Sequence, residues 1–103
     1  MKAVIIKTTC DSKQEARHIG NILVKERLAA CVQLNEIESI YFWKDEICSD
    51  NETLLSIKTK KELFSKIQSI ILELHSYDVQ EIVEIEISNI SEDYLNFIKE
   101  NTI

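Results

Sequence analysis

The chain has 103 residues, 45% apolar and 29% charged, an ordinary composition for one small soluble domain over 1–103 and too short for two. A domain of this size buries only about 60–70% of the surface that its unfolded chain exposes, so its core is modest and association with further chains would help it. Eighteen acidic against twelve basic residues give a net charge of −6, the wrong sign for coating a phosphate backbone or an anionic membrane surface, and nucleic acid is not an expected partner.

The start, Met1 to Lys7, has no long apolar stretch and no small-residue cleavage site, so it reads as a strand and not as a leader peptide. No apolar run approaches the roughly 18 residues needed to span a bilayer. The expected compartment is the cytoplasm, with no membrane partner. Three cysteines, Cys10, Cys31 and Cys48, form neither an even disulfide set nor a C-x-x-C pair, and reduced thiols are the default.

With one glycine and no proline, element boundaries have to be read from caps and periodicity. Ala3 to Thr9 is β-rich. Ser12 and Glu15 then have the spacing of a capping box, and the helix they open places Ala16, Ile19, Gly20 and Leu23 on one face and runs to about Leu28. Cys31 to Leu34 and Ile37 to Trp43 read as one long or bulged strand with an irregularity at Asn35. Lys44-Asp45-Glu46 is the expected hairpin tip, and Ile47 to Asn51 with Glu52 to Lys58 is the partner strand. Thr59 and Glu62 have a second capping-box spacing, opening a helix with Leu63, Ile67, Ile70, Ile71 and Leu74 that lasts to about His75. Ile82 to Ile87 alternates Val83, Ile85 and Ile87 with Glu84 and Glu86, as a half-exposed strand does. Ser91 can cap a last helix carrying Tyr94, Leu95 and Ile98.

The order β-α-β-β-α-β plus a C-terminal helix is the split βαβ, an α+β ferredoxin-like arrangement with an antiparallel sheet and helices on one face. Topology alone does not assign function. A copper chaperone of this fold needs two adjacent thiolates after the first strand, where Cys10 stands alone. An RNA reader would set Tyr41, Phe42 and Trp43 beside basic residues, against the charge balance. A phosphate-cleaving version needs an anion cradle and an arginine in the first loop, and Thr8-Thr9-Cys10-Asp11-Ser12 has neither.

Three segments carry a resemblance: Glu26-Arg27-Leu28-Ala29-Ala30-Cys31-Val32-Gln33, Ser39-Ile40-Tyr41-Phe42-Trp43 and Glu52 to Thr59. To these add His75-Ser76-Tyr77-Asp78-Val79-Gln80-Glu81-Ile82, against an H-P-Y-E-x-P-E-I motif, and the closing Tyr94-Leu95-Asn96-Phe97. Together they resemble the CutA family of divalent-cation-tolerance proteins over nearly the whole chain. Ser76 and Gln80 replace both motif prolines, Asp78 stands for glutamate, and the hairpin tip lacks the family glycine. The resemblance implies a homotrimer, similar in assembly to the PII signalling proteins, with a role linked to copper and other divalent cations and no defined enzymatic reaction.

On this resemblance Cys31 matches the cysteine of an A-A-C motif and offers a soft thiolate to copper, against the simpler role of a small buried residue at a strand start. His75 is either a metal ligand through its imidazole or a partner for the last carbonyls of its helix. Cys10 and Cys48 match no family position and are not expected as ligands, and His18 reads as a surface residue. Tyr41 and Trp43, two apart, share a strand face. With Glu52, Lys58, Tyr77, Glu81 and Tyr94, which match family positions, they are the candidate lining of an intersubunit cleft. The rival reading is a structural hydrogen-bond network at a subunit contact. Two functions follow: a metal-linked tolerance trimer, or a PII-like sensor or scaffold whose clefts take a small anionic metabolite or a partner protein.

Overall fold

The computed structural model describes residues 1–103. Strand β1 (Ala3–Cys10) leads into helix α1 (Lys13–Lys25), the long hairpin β2 (Cys31–Trp43) and β3 (Glu46–Lys60), a single 3₁₀ turn (Lys61–Leu63), helix α2 (Phe64–Leu74), strand β4 (Val83–Glu86) and helix α3 (Glu92–Glu100). The sheet order is β2-β3-β1-β4, antiparallel throughout. This is the expected split βαβ order, with the two crossover helices delivering their apolar stripes to one face. Val4, Ile6, Leu55 and Ile57 from the sheet meet Ala16, Ile19 and Leu23 of α1 and Ile67 and Ile71 of α2 in one buried cluster. Gly20 lets α1 lie close to β2: a Cβ there would come within 3.3 Å of Val32 Cγ1.

Helix α3 goes to the opposite face. Strand alternation turns Lys58 away from buried Ile57 and Thr59, and its Nζ lies 5.4 Å from the Tyr94 ring centroid. Ile98 is fully buried, and Lys60 Nζ donates to the Ile103 carbonyl at 2.8 Å, tying the chain end to β3.

Several local expectations need correcting. No irregularity occurs at Asn35: β2 pairs without interruption from Cys31 opposite Lys58 to Trp43 opposite Glu46. The hairpin tip is therefore two residues and not three. Lys44 and Asp45 have φ of 48° and 64°, the all-positive pattern of a type I′ turn, which suits the strand twist even where glycine is absent. Helix α1 stops at Lys25, short of Leu28, in a Schellman motif. Arg27 takes φ 59° and donates to the Val24 carbonyl, and Leu28 donates to the Leu23 carbonyl. Ser12 does cap α1, accepting from Glu15 N–H, but the Glu15 side chain turns inward instead of closing the box. The second box does not form: Thr59 is still strand, and its hydroxyl donates to the Leu28 carbonyl at 2.5 Å. In β4, Val83 and Ile85 face away from α1 and α2 and are nearly half exposed. Glu84 and Glu86 sit on the other face, both accepting from Lys61 Nζ, at 2.7 and 2.9 Å.

The hairpin outruns the sheet. Strand β1 reaches only Thr53 of β3, so Glu46 to Glu52 has β2 as its only partner, and the molecule measures 45 Å along its long axis. The overhang carries Ile40, Phe42 and Ile47 at 72%, 69% and 81% exposure, large apolar side chains on two unpaired strand edges.

Candidate functional site

Where β1 stops at Cys10 and β3 runs on, a corner is left beside the sheet. The segment after α2 folds across it, and the resulting open cavity of about 680 Å³ is lined by Thr9, Asp11, Ser39, Ile40, Tyr41, Trp43, Asp50, Glu52, Tyr77, Asp78, Val79 and Glu81. The hairpin supplies one wall because Ser39, Tyr41 and Trp43 share a strand face, with Asp50 and Glu52 on the same face of β3. The opposite wall comes from the segment 77–81. It is held by His75, whose ring bonds to β1, and by Gln80, whose side-chain amide donates to the Tyr77 carbonyl at 2.8 Å.

The cavity is acidic: Asp11, Asp50, Glu52, Asp78 and Glu81 line it, and no lysine, arginine or histidine does. Two phenols satisfy part of that charge. Tyr77 donates to Glu52 at 2.7 Å, and Tyr41 donates to Asp50. The bond to Asp50 pushes the Tyr41 hydroxyl up to about 12, and burial first, then Glu52, pushes Tyr77 up as well. Both remain neutral donors at physiological pH.

His75 does not bind the last carbonyls of its helix through its side chain. Its ring is wholly buried, with Nε2 at 2.5 Å from the Thr9 carbonyl and Nδ1 accepting from Tyr77 N–H at 3.1 Å. These bonds define the tautomer with the proton on Nε2. Cys10 Sγ and a Glu15 carboxylate oxygen join the ring, all three ligand-type atoms within 4.8 Å of one another. Cys31 is elsewhere: it pairs with Lys58, whereas Cys10 pairs with Thr53, and those β3 positions are separated by roughly 17 Å of strand. Cys31 lies instead beside Tyr94, whose hydroxyl is pushed up by burial first and then by the neighbouring thiol.

The family model for the CutA1 divalent ion tolerance protein matches residues 4–101. The divalent-cation tolerance protein CutA of Thermus thermophilus is 40% identical over 99 residues, covering 95% of this chain and 96% of that protein. The crystal structure of CutA1 from Oryza sativa superposes with a TM-score of 0.96 at 30% identity, covering 100% of this chain and 95% of that one. A structure from Archaeoglobus fulgidus, described as a periplasmic divalent cation tolerance protein CutA, gives a TM-score of 0.94 at 30% identity over 96% and 97% of the two chains. The chain belongs to the CutA1 family.

Of the residues that the likeness to CutA singled out, Tyr41, Trp43, Glu52, Tyr77 and Glu81 meet in the cavity, while Lys58 and Tyr94 meet beside Cys31 farther along β3, on the sheet face that also carries Glu52. Cys31 and His75 are not brought together. Asp11, Asp50 and Asp78 also line the cavity and were not singled out. For Asp50 the alternation of β3 with Glu52 two residues on was a usable signal. The meeting of Cys10, Glu15 and His75 had none, since they come from a strand end, a first helical turn and the residue after another helix. His18 is exposed, as expected.

Proposed function

We propose that this CutA1 chain assembles as a homotrimer in the cytoplasm and acts as a tolerance protein that binds divalent cations, copper among them, without catalysing a reaction. The observation that supports cation binding is the cavity lining, five carboxylates with no cationic side chain. Oxygen ligands of one sign, focused in a concave site, raise the local concentration of cations and repel anions. An anionic metabolite would meet that repulsion. The cationic candidate, Lys58, is committed to the Tyr94 ring outside the cavity.

Assembly is supported by the overhang. Two bare strand edges and the exposed Ile40, Phe42 and Ile47 make a surface that invites aggregation unless neighbouring chains cover it. No helix is long and apolar enough to cross a membrane, and three unpaired cysteines suit a reducing compartment.

Competition titration of the reduced protein with Cu(II) and with Zn²⁺ against a colorimetric chelator tests the cavity. Saturable binding is expected, weakened at least about tenfold in Glu52→Gln and in Asp50→Asn. Binding that ignores both substitutions, or no saturable binding at all, removes this reading of the cavity.

A further inference from the structure

Behind the cavity lie three polar side chains that the fold does not require to meet. Cys10 is fully buried at the end of β1, Glu15 sits in the first turn of α1, and His75 follows α2. Glu15 Oε1 is buried without any hydrogen-bond partner and lies 3.8 Å from His75 Nδ1. A buried carboxylate oxygen with no donor is costly, and a bound cation would compensate it.

We propose that Cys10 Sγ, Glu15 Oε1 and His75 Nδ1 form a site for one borderline-soft divalent cation of the zinc class, with a fourth position open. The proposal rests on the cation-binding reading above and deepens it, but uses none of the cavity carboxylates. Charge favours a dication: thiolate, carboxylate and neutral imidazole balance it, whereas a monovalent ion leaves a buried negative charge. Bonds of about 2.0–2.3 Å place tetrahedral ligand atoms roughly 3.3–3.6 Å apart, so the present separations close by side-chain rotation. The Nε2 contact with the Thr9 carbonyl, at 2.5 Å, is the outer-sphere bond that orients a ligating histidine.

Binding sends the Cys10 thiol proton to solvent and takes Nδ1 from Tyr77 N–H. The backbone can adjust just before Tyr77, because Ser76 stands where a proline would fix φ. The Tyr77 ring packs 4.7 Å from that of His75 while its hydroxyl holds Glu52, so the site lies one side chain behind the acid-lined cavity.

Titration of the reduced full chain with Co²⁺ reads the site directly, through the thiolate-to-cobalt charge-transfer band and the visible bands of tetrahedral cobalt. One Co²⁺ per chain is expected, displaced by Zn²⁺. The charge-transfer band should vanish in Cys10→Ser and persist in Cys31→Ser and Cys48→Ser, and affinity should fall at least about tenfold in Glu15→Gln. Glu15→Gln changes no buried volume of note and serves should Cys10→Ser fail to fold. A band that survives in Cys10→Ser, or is lost in Cys31→Ser, overturns this site and leaves cation binding standing. Absence of the band with binding still sensitive to Glu52→Gln does the same, whereas no saturable binding of any cation overturns both.

Discussion

Burial and a neighbouring carboxylate act together on one thiol. Cys10 is pushed up from 9.0 to about 12, by burial first and then by Glu15. A folded value above the unfolded one means that the native chain keeps its proton after the unfolded chain has lost it. That contribution to stability is complete below about pH 9 and is lost as pH rises toward 12. Urea unfolding of wild type and Cys10→Ala across this window, with chelator present, should show the wild type losing up to about 1.4 kcal/mol more per pH unit. Equal slopes would contradict it. Single residues were also where the sequence misled most. Arg27 holds a left-handed C′ position that usually announces itself as glycine, and Thr59 has the spacing of a cap while its hydroxyl serves a loop carbonyl from within a strand.

At the scale of elements, the hairpin decides what the molecule can do, because it both walls the cavity and overruns the sheet. Its turn uses Lys44 and Asp45 at positive φ, so Lys44→Asn with Asp45→Gly should relieve that backbone and stabilise the hairpin by about 1 kcal/mol. Thermal unfolding should rise by about 4–8 °C for a domain of this size. A lowered midpoint would mean that the native side chains are needed at the tip. The elements themselves were legible from periodicity, since long amphipathic helices and alternating strands announce which face is buried. What periodicity could not give was the far-side placement of α3, which depends on tertiary contacts between Tyr94 and Lys58. It also could not give the outward turn of Val83 and Ile85, whose alternation fits either face. The cavity was half legible: resemblance supplied Tyr41, Trp43, Glu52, Tyr77 and Glu81, while Asp11, Asp50 and Asp78 are brought in by where β1 ends and how the next segment crosses it.

For the whole molecule, the single chain leaves Trp43 at 43% and Phe42 at 69% exposure on an unpaired edge. Large aromatics buried at a contact commonly dominate its energetics, and Trp43→Ala should weaken assembly by about 2 kcal/mol or more. Sedimentation at falling concentration would register this as dissociation at higher concentration than wild type, and an unchanged profile would place Trp43 outside the contact. Assembly and cation binding belong to one account, because the cavity opens beside the edge of β3 that lacks a partner, where a neighbouring chain would complete its wall. The most direct test is sedimentation equilibrium of the reduced protein at micromolar concentration with the co-sedimenting divalent cation measured in the same cell. The account predicts a species of three times the 12.0 kDa chain mass, carrying cation in proportion to its chains. A folded species of one chain mass, or a trimer that carries none, would contradict it.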